Sequence, residues 1–203
     1  MFGNEYHFVT HWRVKGEKQE VFDVIANASG LSRWWPSVYL DVQEVGRGGK
    51  DGKGKIISLK TKGWLPYTLR WQFRVLENDP PNGFALEAWG DFVGRGVWSF
   101  MQDGPWTDIV YDWRIRAEKP LLRHLSFLLK PFFAANHRWA MAKGEESLRL
   151  ELARRRAKTE EERKLIPFPP PPNKTSALWL LSGTAAIVGA LYFIQRSRRG
   201  RSK

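Results

Sequence analysis

EVFDVIANASGLSRWWPSV, residues 20–38, is the stretch of sequence that decides the fold. Its apolar residues from Val21 to Ile25 recur with the period of a helix that buries one face, which predicts a helix over residues 17–27. A second short helix is expected over residues 29–35. It should stop at Pro36, because the residue before a proline disfavours the helical conformation. Two short helices therefore interrupt a region whose flanks follow a different pattern.

Both flanks alternate apolar and polar residues, which is the two-residue period of strands. Residues 6–15 predict one strand before the helices. Residues 38–117 predict strand after strand, separated by turns rich in Gly, Asn, Asp and Pro. The clearest strands, at 67–75 and 107–115, are apolar on one face and charged on the other. Because the turns are too short for parallel crossovers, the pattern predicts an antiparallel meander with one covered face.

The sequence turns helical after Pro120. Residues 121–133 contain Pro131 and predict a short helix or gate. Residues 134–165 predict a long helix whose last part lacks an apolar face and should project as a solvated stalk. The predicted fold class is α+β: a curved antiparallel sheet of about seven strands around one long C-terminal helix, with two short helices after the first strand. A single helix cannot fill the concave face of such a sheet, so a cavity is expected.

This order of elements resembles the helix-grip superfamily. The likeness rests on residues 20–38 and on NHRWAMAKGEESLRLEL at residues 136–152. The superfamily includes START lipid-transfer domains, the birch-pollen-allergen fold, and the polyketide cyclase/dehydrase and lipid-transport family, whose bacterial members this chain resembles most over residues 5–155. The resemblance implies that an apolar molecule binds in the cavity and, in some relatives, ring-closing or dehydrating chemistry. That family has no shared catalytic residue set, so the resemblance assigns none here.

Tryptophan is unusually frequent, with 11 among 203 residues. Either the broad rings fill the gap between sheet and helix, or they wall a cavity for a flat or long apolar ligand. The leucines and phenylalanines of residues 121–133 either pack in the core or form a mouth that opens against lipid. The hydroxyls of Tyr67 and Tyr111 are the best candidates to orient a ligand. The predicted ligand-binding residues are Trp34, Trp35, Tyr67, Trp71, Trp98, Tyr111, Trp113, Leu125 and Phe132.

No motif predicts a catalytic residue, a metal or a cofactor. GKDGKGKI at residues 49–56 approaches a phosphate-binding loop, but Ile56 stands where a hydroxyl residue must bind magnesium. We interpret this stretch as a flexible basic hairpin. His7 and His11 are about 13 Å apart if they share one strand, too far to bind one ion. The absence of cysteine excludes disulfides and thiolate metal sites.

ALWLLSGTAAIVGALYFI, residues 177–194, contains eighteen residues without a charge and predicts one transmembrane helix. At 1.5 Å per residue it spans about 27 Å, close to the thickness of the hydrocarbon core. The alternative is a buried core helix. Because the N-terminal residues lack the pattern of a signal peptide, we expect a cytoplasmic N-terminal domain and a single-pass C-terminal tail anchor.

The net charge of +12 is unevenly distributed, with +1 in residues 1–120 and +11 in residues 121–203. Basic residues beside a membrane span attract anionic lipid. We prefer this interpretation to nucleic-acid binding, because the first 120 residues carry no basic excess. The predicted organisation is a ligand-binding domain, a charged stalk with a proline-rich linker, a transmembrane helix and a basic tail. These cover residues 1–157, 158–176, 177–194 and 195–203.

The sequence therefore predicts membrane-tethered binding or transport of a hydrophobic small molecule or lipid in an aromatic cavity. The alternative is an enzyme of the polyketide cyclase/aromatase or dehydratase type acting on an apolar substrate. It requires a titratable group inside the cavity. A third possibility is a scaffold whose tryptophans leave no useful space.

Overall fold

The computed structural model describes residues 4–65, 67–118 and 120–173, and their side chains except those of residues 120–129. Its elements follow the predicted order of one strand, short helices, six strands and a long helix. The strands are β1 (Glu5–Lys15), β2 (Tyr39–Gly46), β3 (Ile56–Lys62), β4 (Thr68–Asp79), β5 (Gly83–Gly90), β6 (Phe92–Asp103) and β7 (Trp106–Ala117). The helices are α1 (Lys18–Ala26), α2 (Leu31–Trp34), α3 (Pro120–Arg156) and α4 (Glu160–Leu165), with a 3-10 turn at Ala28–Gly30.

The seven strands form one antiparallel sheet in the order β1-β7-β6-β5-β4-β3-β2. Strands β2 to β7 are neighbours in sequence order, as the meander predicts. Strand β1 joins the far edge by pairing with β7 along its whole length, from Glu5 opposite Arg116 to Lys15 opposite Trp106. The helices α1 and α2 lie between β1 and β2 in sequence and therefore connect the two edge strands.

Helix α1 buries Val21, Phe22, Val24 and Ile25, the face that its helical period predicts. Helix α2 ends at Trp34, and Trp35 then leaves the helical conformation with φ −126° and ψ 53°. This end comes directly before a proline, which disfavours helical geometry in the residue preceding it. Both tryptophans are buried, so the short helices carry broad rings into the core.

Helix α3 is continuous over 37 residues and contains Pro131. The sequence predicts a short helix or gate over residues 121–133, ahead of the long helix. The separate helix is wrong, because one helix runs through the whole segment. The gate stays a prediction. A proline removes one backbone hydrogen bond and often bends a helix, but the turns on both sides can still form. Met141, Leu148 and Leu152 are buried on one face of α3, which packs this helix against the sheet domain.

The predicted long helix does not continue to residue 165. Helix α3 ends at Arg156, and α4 begins with a capping box in which the Thr159 hydroxyl accepts from the Glu162 backbone and the Glu162 carboxylate accepts from Thr159. A capping box fixes a new helix start, so the charged stretch contains two helices. The segment after α4 contacts the end of α3, since Arg154 donates a hydrogen bond to the Ile166 carbonyl.

No helix in the described ranges has the length and apolar character needed to cross a membrane. The predicted transmembrane helix at residues 177–194 and the basic tail at residues 195–203 lie outside the described residues. The predicted organisation of these segments therefore stays a prediction.

Candidate functional site

A cavity of about 160 Å³ lies between the sheet and helix α3. We call it the aromatic cavity, because aromatic rings from the sheet and both helical regions line it. Its wall consists of Tyr6, Phe8, Trp35, Val38, Tyr39, Thr61, Lys62, Gly63, Tyr67, Leu69, Trp71, Phe92, Tyr111, Trp113, Ile115, Ala117, Phe133, Asn136, His137, Ala140 and Met141. The predicted space beneath the long helix is therefore present, although it is small.

Strand pairing brings the rings of the sheet wall together. Trp98 of β6 is directly opposite Tyr111 of β7, and their rings stack with centroids 4.0 Å apart. Trp113 follows Tyr111 on the same face, and these two rings stack with centroids 5.5 Å apart. Because strand side chains alternate between faces, residues two apart form a continuous aromatic row.

Two further tryptophans are held in fixed positions. The indole N–H of Trp71 donates to the Thr61 hydroxyl over 3.0 Å, which satisfies its polar atom inside the core. Trp35 lies against Gly144 of α3, where an added Cβ would stand only 2.3 Å from a ring atom. Only glycine gives the Trp35 ring this approach to the helix.

Among the described side chains of helix α3, one titratable group, that of His137, lies in the wall of the aromatic cavity. Its ring stacks on Phe8 with centroids 4.1 Å apart and makes a long 3.5 Å contact with the Thr10 hydroxyl. Burial, followed by the positive charge of Arg138, lowers the pKa of His137 to about 4. The imidazole is therefore neutral at neutral pH.

Three tyrosines supply most of the remaining polarity. Burial raises the pKa of Tyr39, Tyr67 and Tyr111, so their phenol groups stay protonated and can donate hydrogen bonds. Within the described part of the chain, no Asp or Glu lines this cavity. The arrangement can hold an apolar molecule and orient one polar atom, but it has no carboxylate acid or base.

A second cavity of about 160 Å³ lies near α1, α2 and strands β3 to β6. Trp35, Tyr39, Trp71 and Tyr111 line both cavities. These four rings therefore form a partition between two small spaces inside one domain. The indoles fill much of the region that the sequence analysis expected to be open.

The structure brings five of the nine predicted residues to the aromatic cavity, namely Trp35, Tyr67, Trp71, Tyr111 and Trp113. Trp34 and Trp98 line the second cavity instead. Phe132 is 52% exposed and lies outside both cavities, because the neighbouring Phe133 faces inward. The side chain of Leu125 lies outside the described residues, as do those of the rest of the predicted gate up to residue 129.

The wall residues that sequence reasoning missed include Tyr39, Phe133, Asn136 and His137. On α3, residues 133, 136, 137, 140 and 141 have the three- and four-residue spacing of one helical face. That spacing was a usable signal. Tyr39 had no such signal, because its position depends on where β2 starts after the proline.

The sheet order, the covering helix and the cavity between them can be compared with known proteins. No protein-family model matches the chain, and no curated protein sequence matches it significantly. Among solved structures, the Zhui aromatase/cyclase from Streptomyces sp. R1128 superposes with a TM-score of 0.59 at 17% identity, covering 76% of this chain and 97% of that one. The chain has the helix-grip fold.

Other helix-grip proteins superpose to a similar degree. A START superfamily protein from Mycobacterium smegmatis gives a TM-score of 0.54 at 14% identity, covering 70% of this chain and 98% of that one. Norcoclaurine synthase from Thalictrum flavum, solved with dopamine and hydroxybenzaldehyde, gives 0.54 at 14% identity, covering 76% and 90%. At these identities the likeness establishes the helix-grip fold, and function must be argued from the cavity.

Proposed function

We propose that this helix-grip chain binds a hydrophobic small molecule or lipid in the aromatic cavity. The observation that carries the proposal is an open space of about 160 Å³ walled by aromatic rings and lacking a carboxylate among its described wall residues. Ligand sites are typically apolar hollows with a few polar groups that fix orientation. The tyrosine hydroxyls, Asn136 and the neutral His137 are such groups in this cavity.

The volume limits what can bind. An apolar cavity of ~150 Å³ holds a molecule the size of benzene. The aromatic cavity therefore accepts a single ring or one end of a longer molecule. A long ligand would need the partition rings to move so that the second cavity adds its volume.

Carriage fits the polar groups better than catalysis does. The alternative, a cyclase/aromatase or dehydratase, gains support from one observation, the imidazole of His137 in the cavity wall. A general base works best with a pKa near the working pH, and a pKa of about 4 makes His137 a weak one. Protonated phenols can hold a carbonyl oxygen without any reaction following.

We also propose that the chain is tethered to a membrane by residues 177–194. Support comes from the eighteen uncharged residues of that stretch and from the basic residues on both sides. A tether keeps the cavity close to the phase in which an apolar ligand dissolves, which raises its effective concentration. The test replaces Ile187 by Arg in the middle of the stretch, which should release the protein from membranes washed at alkaline pH. Retention of the variant would contradict the tether.

The ligand proposal is tested by native mass spectrometry of the full-length protein purified in mild detergent. The wild type should carry an apolar molecule of defined mass. Ala140→Phe, which fills the aromatic cavity, should remove that mass, whereas Ala135→Phe on the same helix but outside the cavity wall should retain it. Equal occupancy in both variants, or an empty wild type, would contradict binding at this site. Turnover of an offered aromatic polyketide by the wild type, lost in His137→Phe, would instead favour the enzyme.

A further inference from the structure

A third cavity, of about 640 Å³, lies at the C-terminal end of α3 and differs in character from the aromatic cavity. Its wall includes four arginines and one glutamate. We call it the arginine cavity. It is lined by Arg33, Trp34, Ser147, Glu151, Arg154, Arg155, Arg163, Phe168 and Pro169. The wall therefore carries a formal charge of +3 and two apolar side chains from the segment that follows α4.

The single carboxylate of the arginine cavity is already engaged. Glu151 accepts two hydrogen bonds from Arg33, over 2.8 and 2.7 Å, and one from Arg155 over 2.9 Å. Its charge cannot also neutralise Arg154 and Arg163. Arg163 reaches only Glu160, over 3.3 Å at an exposed position outside the wall. With Glu160 counted as a partner, the four arginines of the wall face two carboxylates, which leaves a net charge of +2 for a guest to neutralise.

Unpaired hydrogen-bonding groups gather in the same wall. Five buried side-chain nitrogen or oxygen atoms lack a hydrogen-bond partner among the described residues, and three of them belong to this cavity. They are Trp34 Nε1, Ser147 Oγ and Arg154 Nε. The side chains of Trp34 and Ser147 are almost completely buried, at 2% and 0% exposure. Each of these atoms can donate a hydrogen bond, and an unpaired buried donor is unfavourable until a bound group accepts from it.

Residues 166–169 follow α4, and we call this segment the strap. Its residues Phe168 and Pro169 form part of the wall of the arginine cavity. Arg154 donates to the backbone carbonyls of Ile166 and Pro167, and its guanidinium carbon lies 4.7 Å from the centroid of the Phe168 ring. Phe168 is nevertheless 86% exposed. Little apolar surface therefore holds the strap in place, and neutral carbonyls are weaker partners for a guanidinium than an anion is. Because the three donor atoms are closed to solvent, the groups around them must shift before a guest reaches them.

We propose that the arginine cavity binds a phosphate group, supplied either by a lipid headgroup or by a soluble phosphate compound. The several acceptor oxygens of a phosphate match the three donors, and its charge near −2 matches the net charge of +2. Guanidinium groups also bind phosphate oxygens in a fixed geometry. Phe168 and Pro169 would contact whatever the phosphate carries. This site is separate from the aromatic cavity and does not depend on a hydrophobic ligand there.

The first test titrates inorganic phosphate into the full-length protein in detergent at constant ionic strength, with the indole N–H signals followed by NMR. The Trp34 signal is assigned as the one lost in Trp34→Phe. It should shift with saturation. Ser147→Ala and Arg154→Gln should each weaken binding about tenfold, the value of one hydrogen bond to a charged group. Arg47→Gln removes the same charge from an exposed position away from the cavity and should bind as the wild type does.

The outcomes separate a built site from general attraction to positive charge. Weakening by Arg47→Gln equal to that by Arg154→Gln, or an unmoved Trp34 signal, would overturn the proposal. Ser147→Ala removes an unpaired hydroxyl, so without phosphate its thermal stability should equal or exceed that of the wild type. A large loss of stability in this variant would show that the hydroxyl has a structural partner, and would also overturn the assignment. Ala140→Phe should keep the phosphate shift, which separates this site from the hydrophobic one.

Two further titrations identify the source of the phosphate. Glycerol 3-phosphate is added to the protein in detergent, and the protein is separately placed in lipid nanodiscs of phosphatidylcholine with or without phosphatidic acid. A shift of Trp34 only with phosphatidic acid identifies a lipid headgroup. A shift with glycerol 3-phosphate, and none on adding phosphatidic acid, identifies a soluble compound. If neither produces the shift, the cavity is not a phosphate site.

Discussion

The aromatic cavity and the arginine cavity lie along one helix, but the titratable side chains in their walls differ in charge. His137 in the first is neutral, and Glu151 in the second is ionised. These two side chains are fourteen residues apart on α3. Burial keeps His137 neutral. Burial also opposes the charge of Glu151, but the hydrogen bonds from Arg33 and Arg155 outweigh it and lower the pKa of the carboxyl. Burial alone therefore does not decide ionisation; the presence of charged partners does.

This difference has a functional meaning. A wall that consists mostly of rings and protonated phenols, with Lys62 as a charged member, favours an apolar guest. A cation in particular would lose its hydration without gaining a carboxylate partner among the described wall residues. A wall with excess guanidinium charge favours an anion. Our two proposals therefore assign two kinds of ligand to two chemically distinct cavities along one helix, and the following changes test each of them.

The largest expected effect is the pH dependence that His137 confers. Its folded-state pKa of about 4 lies below the usual 6.5, so the unfolded chain takes up a proton first as the pH falls. Stability is then full above pH 6.5 and is lost towards pH 4, by about 3 kcal/mol. Urea unfolding at pH 7 and pH 4 should show this loss in the wild type and not in His137→Phe.

The exposed His11 supplies the matched control for this experiment. His11→Phe should follow the wild-type pH dependence. Because Asp112 and Glu151 also have lowered pKa values, every variant loses some stability in acid, and the difference between His137→Phe and the wild type is the relevant quantity. Parallel stability curves for the two proteins would contradict a neutral, buried His137.

Gly144→Ala should destabilise the fold by a smaller amount. Alanine favours a helix by about 1 kcal/mol over glycine, but its Cβ would stand 2.3 Å from the buried Trp35 ring. Overpacking costs about 1–3 kcal/mol, so we expect a net loss of up to about 2 kcal/mol in chemical unfolding. Trp35→Phe in the same chain should recover part of the loss in a double-mutant cycle. If the two substitutions prove additive, the contact with the Trp35 ring is not the cause of the lost stability.

Glu151→Gln tests the arginine cavity and should lower the free energy of unfolding by about 1 kcal/mol at neutral pH. The effect is modest because its partner Arg33 is 61% exposed and solvent screens the pair. Glu160→Gln, which loses an exposed pair with Arg163, should change the free energy of unfolding by less than about 0.5 kcal/mol. Glu151→Gln should also tighten phosphate binding, since it removes the only acid of the wall. Weaker phosphate binding in this variant would contradict the electrostatic account.

Local periodicity was sufficient for four aromatic residues on the sheet side of the aromatic cavity. Tyr67, Trp71, Tyr111 and Trp113 were found because strand residues two apart share a face. Alternation does not say how far along the strand the covering helix lies. Trp98 therefore faces the predicted side of the sheet but reaches the second cavity instead of the first.

The helix side was predicted less well, for a geometric reason. A shift of one residue turns a helical side chain by about 100°, and the sequence analysis chose Phe132 where the structure uses Phe133. The arginine cavity could not be predicted at all from local pattern. Its wall joins Arg33 of α2 to residues more than a hundred positions later, and no local pattern marks Glu151 as buried.

The central claim, an open apolar space beneath α3, is tested most directly by benzene binding observed at methionine methyl groups. The chain has three methionines. Met141 lines the aromatic cavity and Met101 is 65% exposed on β6, which makes it an internal control. We expect a saturable shift of the Met141 methyl signal in the full-length wild type, none at Met101, and none in Ala140→Phe. A Met141 signal that does not move, or that moves equally in Ala140→Phe, would contradict the account.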